Sequence, residues 1–240
     1  KRTPEVCVPE HQKSLPKKTP WGDMTYLEYK EKIEFGKSEY DYINSYCDQK
    51  FNPIDWSASV WDLKSLEFLM QYNIPYIKIP SAMLTNIELI TESAKTKLPI
   101  IISTGMSTLE EVDNAVNSII KVADKPCILH SNSCYPAPLQ DLNLSLIPMY
   151  KKRYDCVIGY SGHEYNVEPS VIAVALGAQV IERHVTLNQK MWGTDQKSSL
   201  TITGMENLYN RVSNVDLVIG KPKKIITNGE KEIRNKLGHK

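Results

Sequence analysis

Val157-Ile158-Gly159-Tyr160-Ser161-Gly162-His163 is a short apolar run that ends in a histidine, and Val180-Ile181-Glu182-Arg183-His184 is a second one. Between them, the amphipathic segment Val167–Gly177 is long enough for about three helical turns. A strand, a helix and a strand at this spacing form a βαβ unit, in which the strands are parallel neighbours. We therefore expect both histidines at the same end of a parallel sheet, placed to hold a metal ion or to bind an anion.

The same pattern extends over most of the chain. Six apolar, β-rich runs begin 22 to 30 residues apart, and helix-patterned segments lie between them. One helix start carries a capping box formed by Thr108 and Glu111. The six runs are Ile54–Ser59, Tyr76–Pro80, Ile100–Gly105, Cys127–Ser131, Val157–Ser161 and Val180–Thr186. Near-continuous apolar strands that alternate with helices predict an α/β fold with a parallel sheet covered by helices.

Two architectures contain such a sheet, the doubly wound open sheet and the (β/α)8 TIM barrel. No glycine-rich dinucleotide fingerprint follows any of the six runs, and polar residues end every run instead of clustering at one switch point. Both observations favour the TIM barrel. Because a barrel has eight strands and the sequence indicates six, we expect strands 3–8 in this chain and strands 1 and 2 before Lys1.

The patterns divide the chain into three parts. Residues 1–53 are expected to form a loop or insertion over the barrel mouth and a helix that enters the barrel, with another helix at Tyr26–Phe35. Residues 54–220 contain the six β/α repeats. Residues 221–240 are polar and charged, which is typical of a linker or tail.

Composition argues against two classes of partner. The net charge is +1 and the pI is near 7.7, whereas binding to nucleic acid or to an anionic membrane calls for a strongly basic face. No apolar run approaches the roughly 18 residues of a transmembrane helix. The five cysteines have no CxxC spacing, which suits a reducing compartment. We therefore expect a cytoplasmic protein that binds neither nucleic acid nor membrane.

The polar side chains at the ends of the runs are mainly hydroxyls, with one lysine and two histidines. In a barrel, these strand ends form the rim of the active site. They include Ser59, Lys78, Ser81, Ser103, Tyr135, Ser161, His163, Glu182 and His184. Several neutral donors and one point charge bind phosphate oxygens well. We therefore expect an anionic, phosphorylated ligand.

Some of these side chains have two interpretations. Lys78 lies in an apolar strand, where an inward lysine is costly unless it meets an anion, so we interpret it as ligand-binding. His163 and His184 alone would each fit a core position, but their pairing at adjacent strand ends favours metal ligation. Asp195, in the loop Gly193-Thr194-Asp195-Gln196, is either a polyol contact or a helix cap.

Alternation along the last run points Glu182 to the side of His184 and Arg183 to the opposite side. Arg183 is thus expected to face outward, where it can form an ion pair with neighbouring helices. His130 is either a ligand or a neutral core histidine that is hydrogen-bonded to a backbone carbonyl.

Six motifs occur in a fixed order between residues 54 and 200. They are Lys78-Ile79-Pro80-Ser81-Ala82-Met83-Leu84-Thr85, Ile102-Ser103-Thr104-Gly105-Met106-Ser107, His130-Ser131-Asn132-Ser133-Cys134-Tyr135-Pro136, Gly159-Tyr160-Ser161-Gly162-His163-Glu164, Ala175-Leu176-Gly177-Ala178 with Glu182-Arg183-His184, and Gly193-Thr194-Asp195-Gln196. Together they resemble the sialic acid (N-acetylneuraminate) synthase family. The chain is similar to the barrel domain of that family without its first two strands and without its C-terminal antifreeze-like domain.

This resemblance implies a TIM-barrel transferase. Family members condense phosphoenolpyruvate with N-acetylmannosamine or a related N-acylated hexose, form a nine-carbon 2-keto acid and release phosphate. They use a divalent metal, Mn2+ or Mg2+, and full-length members form homodimers. The implied roles are metal ligation by His163 and His184, catalysis by these two histidines and Lys78, phosphoenolpyruvate binding by Ser59, Lys78, Ser81, Ser103 and Ser161, and sugar contacts from Tyr135 and Asp195.

The resulting hypothesis is a nonulosonate (sialic acid-type) synthase. A second hypothesis is a truncated, catalytically inactive remnant or ligand-binding protein of the same fold. A third is another phosphoenolpyruvate-dependent synthase that makes a seven- or eight-carbon sugar acid, although the Gly-Tyr-Ser-Gly-His and Gly-Thr-Asp-Gln motifs argue against it.

Overall fold

The computed structural model describes residues 1–49, 51 and 53–238. Its strands form an antiparallel hairpin near the N-terminus and one parallel sheet whose spatial order follows the sequence. The hairpin is β1 (Pro16–Thr19) and β2 (Gly22–Thr25), and the sheet is β3 (Ile77–Ile79), β4 (Ile100–Ser103), β5 (Cys127–Ser131), β6 (Ile158–Gly162) and β7 (Val180–Arg183). The α/β class and the parallel sheet that the apolar runs predicted are confirmed.

Helices connect the parallel strands and flank the hairpin. They are α1 (Pro4–Cys7), α2 (Glu10–Lys13), α3 (Tyr26–Ile33), α4 (Lys37–Cys47), α5 (Leu63–Leu69), α6 (Ile87–Lys95), α7 (Leu109–Ile120), α8 (Leu146–Tyr154), α9 (Glu168–Ala175), α10 (Ile202–Val212), α11 (Val215–Ile219) and α12 (Asn228–Leu237). The predicted capping box forms at α7, where Thr108 N donates to Glu111 Oε2 at 2.7 Å.

The two faces of the sheet separate the core from the site. Ile77, Ile102 and Ile128 are fully buried in the main hydrophobic cluster, against the helix layer. Alternate residues point the other way, so Lys78 and Leu129 line the concave face. Because neighbouring strands are parallel, their carboxyl ends meet at one edge of this concave face.

The first predicted strand differs from its prediction. Over residues 54–59 the sheet pairing is limited to one parallel bridge, Ser59 with Lys78, so a full strand at Ile54–Ser59 is wrong. In place of backbone pairing, side chains of this segment form hydrogen bonds to neighbouring elements. Ser57 Oγ donates to the carbonyl of Tyr76 at 2.7 Å, and Trp56 Nε1 donates to a side chain of α4 at 3.1 Å. The segment lies at the edge of the described sheet, with β3 as its neighbour.

The segment predicted as a long loop contains the β1–β2 hairpin. Gly22 has φ of 108°, a conformation that glycine adopts readily at a tight turn. The hairpin is largely exposed, so it lacks the apolar alternation that predicts a strand. Residues 50 and 52 of the predicted first part, and 239–240 of the predicted tail, lie outside the described residues.

The segment predicted as a tail holds helix α12. Its start is a capping box in which Thr227 N donates to Glu230 Oε2 at 2.8 Å. All five cysteines are free thiols. Among the residues that the structure describes, no helix combines the length and the apolar character needed to cross a membrane.

Candidate active site

The nine side chains to which the family resemblance assigns a role line one cavity at the carboxyl ends of the parallel strands. The cavity has a volume of about 460 Å³. The nine are Ser59, Lys78, Ser81, Ser103, Tyr135, Ser161, His163, His184 and Asp195. Residues that are far apart in the sequence meet here because all the strands end at one edge.

Lys78 is the buried cation of this cavity. Its residue is 8% exposed, and its Nζ donates to Ser103 Oγ at 2.6 Å. The same nitrogen lies 3.7 Å from Oε2 of Glu182. Burial lowers the pKa of Lys78, and the Glu182 carboxylate opposes that shift. An incoming anion would favour the charged ammonium further.

A cluster of three serine hydroxyls surrounds Gly105. Gly105 N donates to Ser81 Oγ at 3.0 Å, and this oxygen is 3.2 Å from Ser131 Oγ. A Cβ at position 105 would collide with Ser133 Oγ and would lie 2.9 Å from the other two hydroxyl oxygens. Glycine therefore lets three hydroxyls and one backbone N–H converge, which is an arrangement suited to anion oxygens.

Two imidazoles and one phenol also line the cavity. The ring centroids of His163 and His184 are 5.2 Å apart. Tyr135 packs against both rings, with centroid distances of 4.3 Å to His163 and 5.6 Å to His184. Asp195 Oδ2 lies 4.0 Å from His184 Nδ1. The sequence-predicted metal ligands and sugar contacts are thus direct neighbours.

The orientation of His163 is set by the backbone. Its Nδ1 lies 2.5 Å from the carbonyl oxygen of Asn132, so this nitrogen donates and Nε2 carries the lone pair. Nε2 lies 3.3 Å from the Tyr135 hydroxyl and 3.5 Å from Ser161 Oγ. Burial lowers the pKa of His163, and the neighbouring His184 adds to this effect. The ring is held neutral, which is the form that binds metals.

Glu182 connects Lys78 to the neighbourhood of His163. Its Oε1 accepts a hydrogen bond from Ser161 Oγ at 2.7 Å, and its carboxylate lines the cavity between the Lys78 side and the histidines. Strand alternation predicted that Glu182 points to the side of His184. It did not assign a role to Glu182, because a carboxylate at a strand end can also form a structural ion pair. Glu182 is therefore a site residue that sequence reasoning placed without assigning a role.

Arg2 and Lys30 also line the cavity, although no sequence pattern indicated either of them as a site residue. The Arg2 guanidinium lies 4.0 Å from the ring centroid of Trp61, and Lys30 Nζ lies 5.1 and 5.2 Å from those of Tyr26 and Tyr29. Both cations come from the segment interpreted as an insertion over the mouth. Arg2 and Lys30 are recognisable as cavity residues only from the tertiary structure, in which that segment packs against the strand ends.

His130 and Arg183 lie on the other side of the sheet. His130 is a core histidine whose Nε2 is 2.6 Å from the carbonyl oxygen of Leu142, as one of its two interpretations stated. Arg183 points outward, as alternation predicted, and its partner is Glu164 in the loop after β6. Neither side chain lines the cavity.

The side chains present fit a divalent cation as a partial ligand set. Among the described residues, no group of three His, Cys, Asp or Glu side chains is arranged to hold a metal ion. The lone pair on Nε2 of His163 nevertheless faces hydroxyls of the cavity, and the ring of His184 is its neighbour. Two imidazoles are suitable metal ligands when water or substrate oxygens supply the remaining positions.

The chain matches the NeuB family over residues 1–224. It is 38% identical over 225 residues to the N-acetylneuraminate-9-phosphate synthase of Drosophila melanogaster, which covers 91% of this chain and 60% of that protein. It is 33% identical over 186 residues to the N,N'-diacetyllegionaminic acid synthase of Legionella pneumophila, covering 75% of this chain and 52% of that one. The chain therefore spans between half and two thirds of these relatives.

A solved structure has the same fold. The crystal structure of N-acetylneuraminic acid (sialic acid) synthetase from Leptospira borgpetersenii in complex with citrate superimposes with a TM-score of 0.78 at 31% sequence identity. The match covers 89% of this chain and 75% of that one.

Proposed function

The chain belongs to the NeuB family, and on this premise we propose that it is the barrel part of a nonulosonate (sialic acid-type) synthase. The protein condenses phosphoenolpyruvate with N-acetylmannosamine or a related N-acylated hexose to a nine-carbon 2-keto acid and releases phosphate. One observation carries the proposal. A single cavity is lined by a buried lysine, by serine hydroxyls and by two imidazoles.

The lysine side of the cavity is proposed as the phosphoenolpyruvate site. Lys78 Nζ and the hydroxyls of Ser59, Ser81, Ser103 and Ser161 donate to the phosphate and carboxylate oxygens. Charge-assisted hydrogen bonds of this kind are about twice as strong as neutral ones. The anion takes over from Glu182 as the main partner of the ammonium, so binding favours the charged form of Lys78 despite its burial.

The histidine side is proposed as the place of the acceptor sugar and of a divalent metal, Mn2+ or Mg2+. His163 and His184 hold the cation, and the carbonyl of Asn132 keeps Nε2 of His163 available for it. When bound, the cation supplies Lewis-acid polarisation of the sugar's aldehyde oxygen. Tyr135 and Asp195 hydrogen-bond to sugar hydroxyls and keep the aldehyde facing the donor.

The proposed reaction forms one carbon–carbon bond. C3 of the enolpyruvate bonds to the aldehyde carbon of the open-chain hexose, whose oxygen takes up a proton. Water adds to C2, and the C2–O bond to phosphate breaks to leave the 2-keto acid. Glu182, within 3.7 Å of Lys78 Nζ, accepts one proton of that water and passes it to the former aldehyde oxygen, and the other proton leaves with the phosphate. Lys78 remains paired with the departing phosphate.

We also propose that the full-length protein closes this sheet into a (β/α)8 barrel. Residues 54–59 and the five parallel strands then correspond to strands 3–8. The similarity to the Leptospira synthetase, at a TM-score of 0.78, supports this assignment. We further propose a cytoplasmic homodimer for the complete protein.

The test incubates the full-length protein with phosphoenolpyruvate, N-acetylmannosamine and Mn2+ and follows phosphate release and 2-keto acid formation. We expect equal amounts of both products, and we expect loss of activity in His163→Ala but not in His11→Ala, whose histidine is exposed on α2. A folded protein that gives no product with any N-acylated hexose would refute the proposal. Binding of phosphoenolpyruvate without turnover would then favour the inactive, ligand-binding alternative.

A further inference from the structure

A fully buried ion pair links the two strand ends that carry the histidines. Arg183 Nη1 lies 2.7 Å from Glu164 Oε1, and both side chains have 0% exposure. Glu164 is the residue after His163, and Arg183 is the residue before His184. The pair therefore connects the carboxyl ends of β6 and β7 on the face opposite to the imidazoles.

The pair also holds the backbone of the loop after β6. Arg183 Nη2 donates to the carbonyl oxygen of Glu164 at 2.6 Å, and Nη1 donates to that of Asn166 at 2.9 Å and to Ser170 Oγ at 3.1 Å. The hydroxyl of Tyr160 donates to the second carboxylate oxygen of Glu164 at 2.7 Å. The loop is thus held by both its side chain and its main chain, immediately after the first histidine.

Gly162 makes this arrangement possible. A Cβ at position 162 would lie 2.8 Å from both carboxylate oxygens of Glu164 and 2.8 Å from Cε1 of Tyr160. The carboxylate therefore folds back beneath the end of β6 into space that any side chain at this position would fill.

Stability alone gives little reason for two buried charges. Well-packed apolar residues in place of a buried ion pair often leave a protein equally stable or more stable, because the desolvation of the ions is costly. Fixed geometry is a different benefit, since a directional network orients the residues attached to it. Here those attached residues are His163 and His184, with ring centroids 5.2 Å apart.

We propose that the Glu164–Arg183 ion pair is a positioning element that holds His163 and His184 at the separation needed to bind one divalent cation. This inference rests on the proposed function, because it assumes the metal site. Glu164 and Arg183 touch neither metal nor substrate and act through the two histidines.

The test removes both charges together, as Glu164→Leu with Arg183→Met, so that neither ion is left buried alone. The matched control is Asp113→Leu with Arg153→Met, which removes an ion pair between α7 and α8 with a distance of 2.6 Å. Titration calorimetry with Mn2+ alone is carried out on the full-length protein well below its melting temperature. We expect about 10- to 100-fold weaker Mn2+ binding in the first double variant. The control double variant should bind Mn2+ as the parent does.

Gly162→Ala provides a second variant with both charges retained, in case the double variant fails to fold. Its Cβ displaces the Glu164 carboxylate, and we again expect weaker Mn2+ binding. If the parent binds Mn2+, His163→Ala abolishes that binding and both variants bind as the parent does, the inference is overturned and the proposed metal site stands. If the parent itself binds no Mn2+, the metal part of the proposed function fails and the inference fails with it.

Discussion

The phenol ring of Tyr135 lies over the imidazole of His163, with ring centroids 4.3 Å apart and the hydroxyl oxygen 3.3 Å from Nε2. The same ring makes an edge contact with His184 at 5.6 Å. Burial raises the pKa of Tyr135 to about 12, so the hydroxyl keeps its proton at neutral pH. Tyr135, which is expected to contact the sugar, therefore also packs against both histidine rings.

Tyr135→Phe and Tyr135→Ala should separate these two roles. Phe keeps the ring packing and removes one hydrogen bond, so we expect the KM for the acceptor to rise about 5- to 10-fold, the equivalent of about 1–1.5 kcal/mol. Ala removes the ring as well and should also weaken Mn2+ binding. Steady-state kinetics and Mn2+ titration measure the two effects. Equal losses in both variants would contradict the separate role of the ring.

Gly105→Ala should impair donor binding without unfolding the protein. The added Cβ would collide with Ser133 Oγ and would press on two further serine hydroxyls, so we expect a KM for phosphoenolpyruvate at least about tenfold higher. Gly229→Ala is the control, because nothing lies within 4 Å of its Cβ, and helix α12 should gain about 0.5–1 kcal/mol there. An unchanged KM in Gly105→Ala would contradict the role of Ser81 in phosphoenolpyruvate binding.

Lys78→Met should weaken phosphoenolpyruvate binding while sparing the fold. Loss of a charge-assisted hydrogen bond is expected to lower kcat/KM for the donor about 10- to 100-fold. The free energy of unfolding should not fall, because burial disfavours the charged lysine, as its lowered pKa indicates. Kinetics and urea denaturation test both points, with the exposed Lys95→Met as the control. Normal donor kinetics in Lys78→Met would contradict the assignment.

Metal removal should abolish activity and leave the folded protein intact. The main hydrophobic cluster includes none of the residues that line the cavity, so chelation should not unfold the protein. Mn2+ at 100 times its Kd should stabilise the protein by about 2.7 kcal/mol. For a chain of this size, that free energy corresponds to a rise in Tm of roughly 5–10 °C. Differential scanning fluorimetry should detect the rise in His11→Ala and lose it in His163→Ala.

The stability of the protein should fall in mild acid because of its buried histidines. Burial lowers the pKa of His130 below its ordinary value of 6.5, and burial lowers that of His163 in the same direction. Well above pH 6.5 these rings are neutral in the folded and unfolded chains alike. Below it the unfolded chain binds protons that the folded chain does not, so the free energy of unfolding decreases as pH falls.

The size of this effect is about 1.4 kcal/mol for each unit by which a pKa is lowered. Urea denaturation between pH 5 and pH 8 measures it. His130→Gln should show a shallower pH dependence than the parent, since it removes one of the buried imidazoles. A dependence of the same slope in the variant would show that His130 contributes nothing to it.

The sequence by itself determined the layer structure and the position of the cavity. The spacing of the apolar runs indicates where strands and helices alternate, because secondary structure depends on local sequence. Strand β5, for example, has the predicted bounds Cys127–Ser131. Because parallel strands end at one edge, the polar residues after each run had to meet there, and nine of them line one cavity. Local patterns also indicated the inward direction of Glu182 and the outward direction of Arg183.

Only the tertiary structure decided which distant groups are partners. Three features depend on where whole segments pack. They are the ion pair between Arg183 and Glu164, the position of Arg2 and Lys30 at the cavity, and the single bridge at Ser59. A periodic sequence pattern does not predict such pairings, because it does not distinguish a charged side chain that faces solvent from one that faces a buried counter-ion. Burial and distance select the partner, and both exist only once the sheet and its loops have come together.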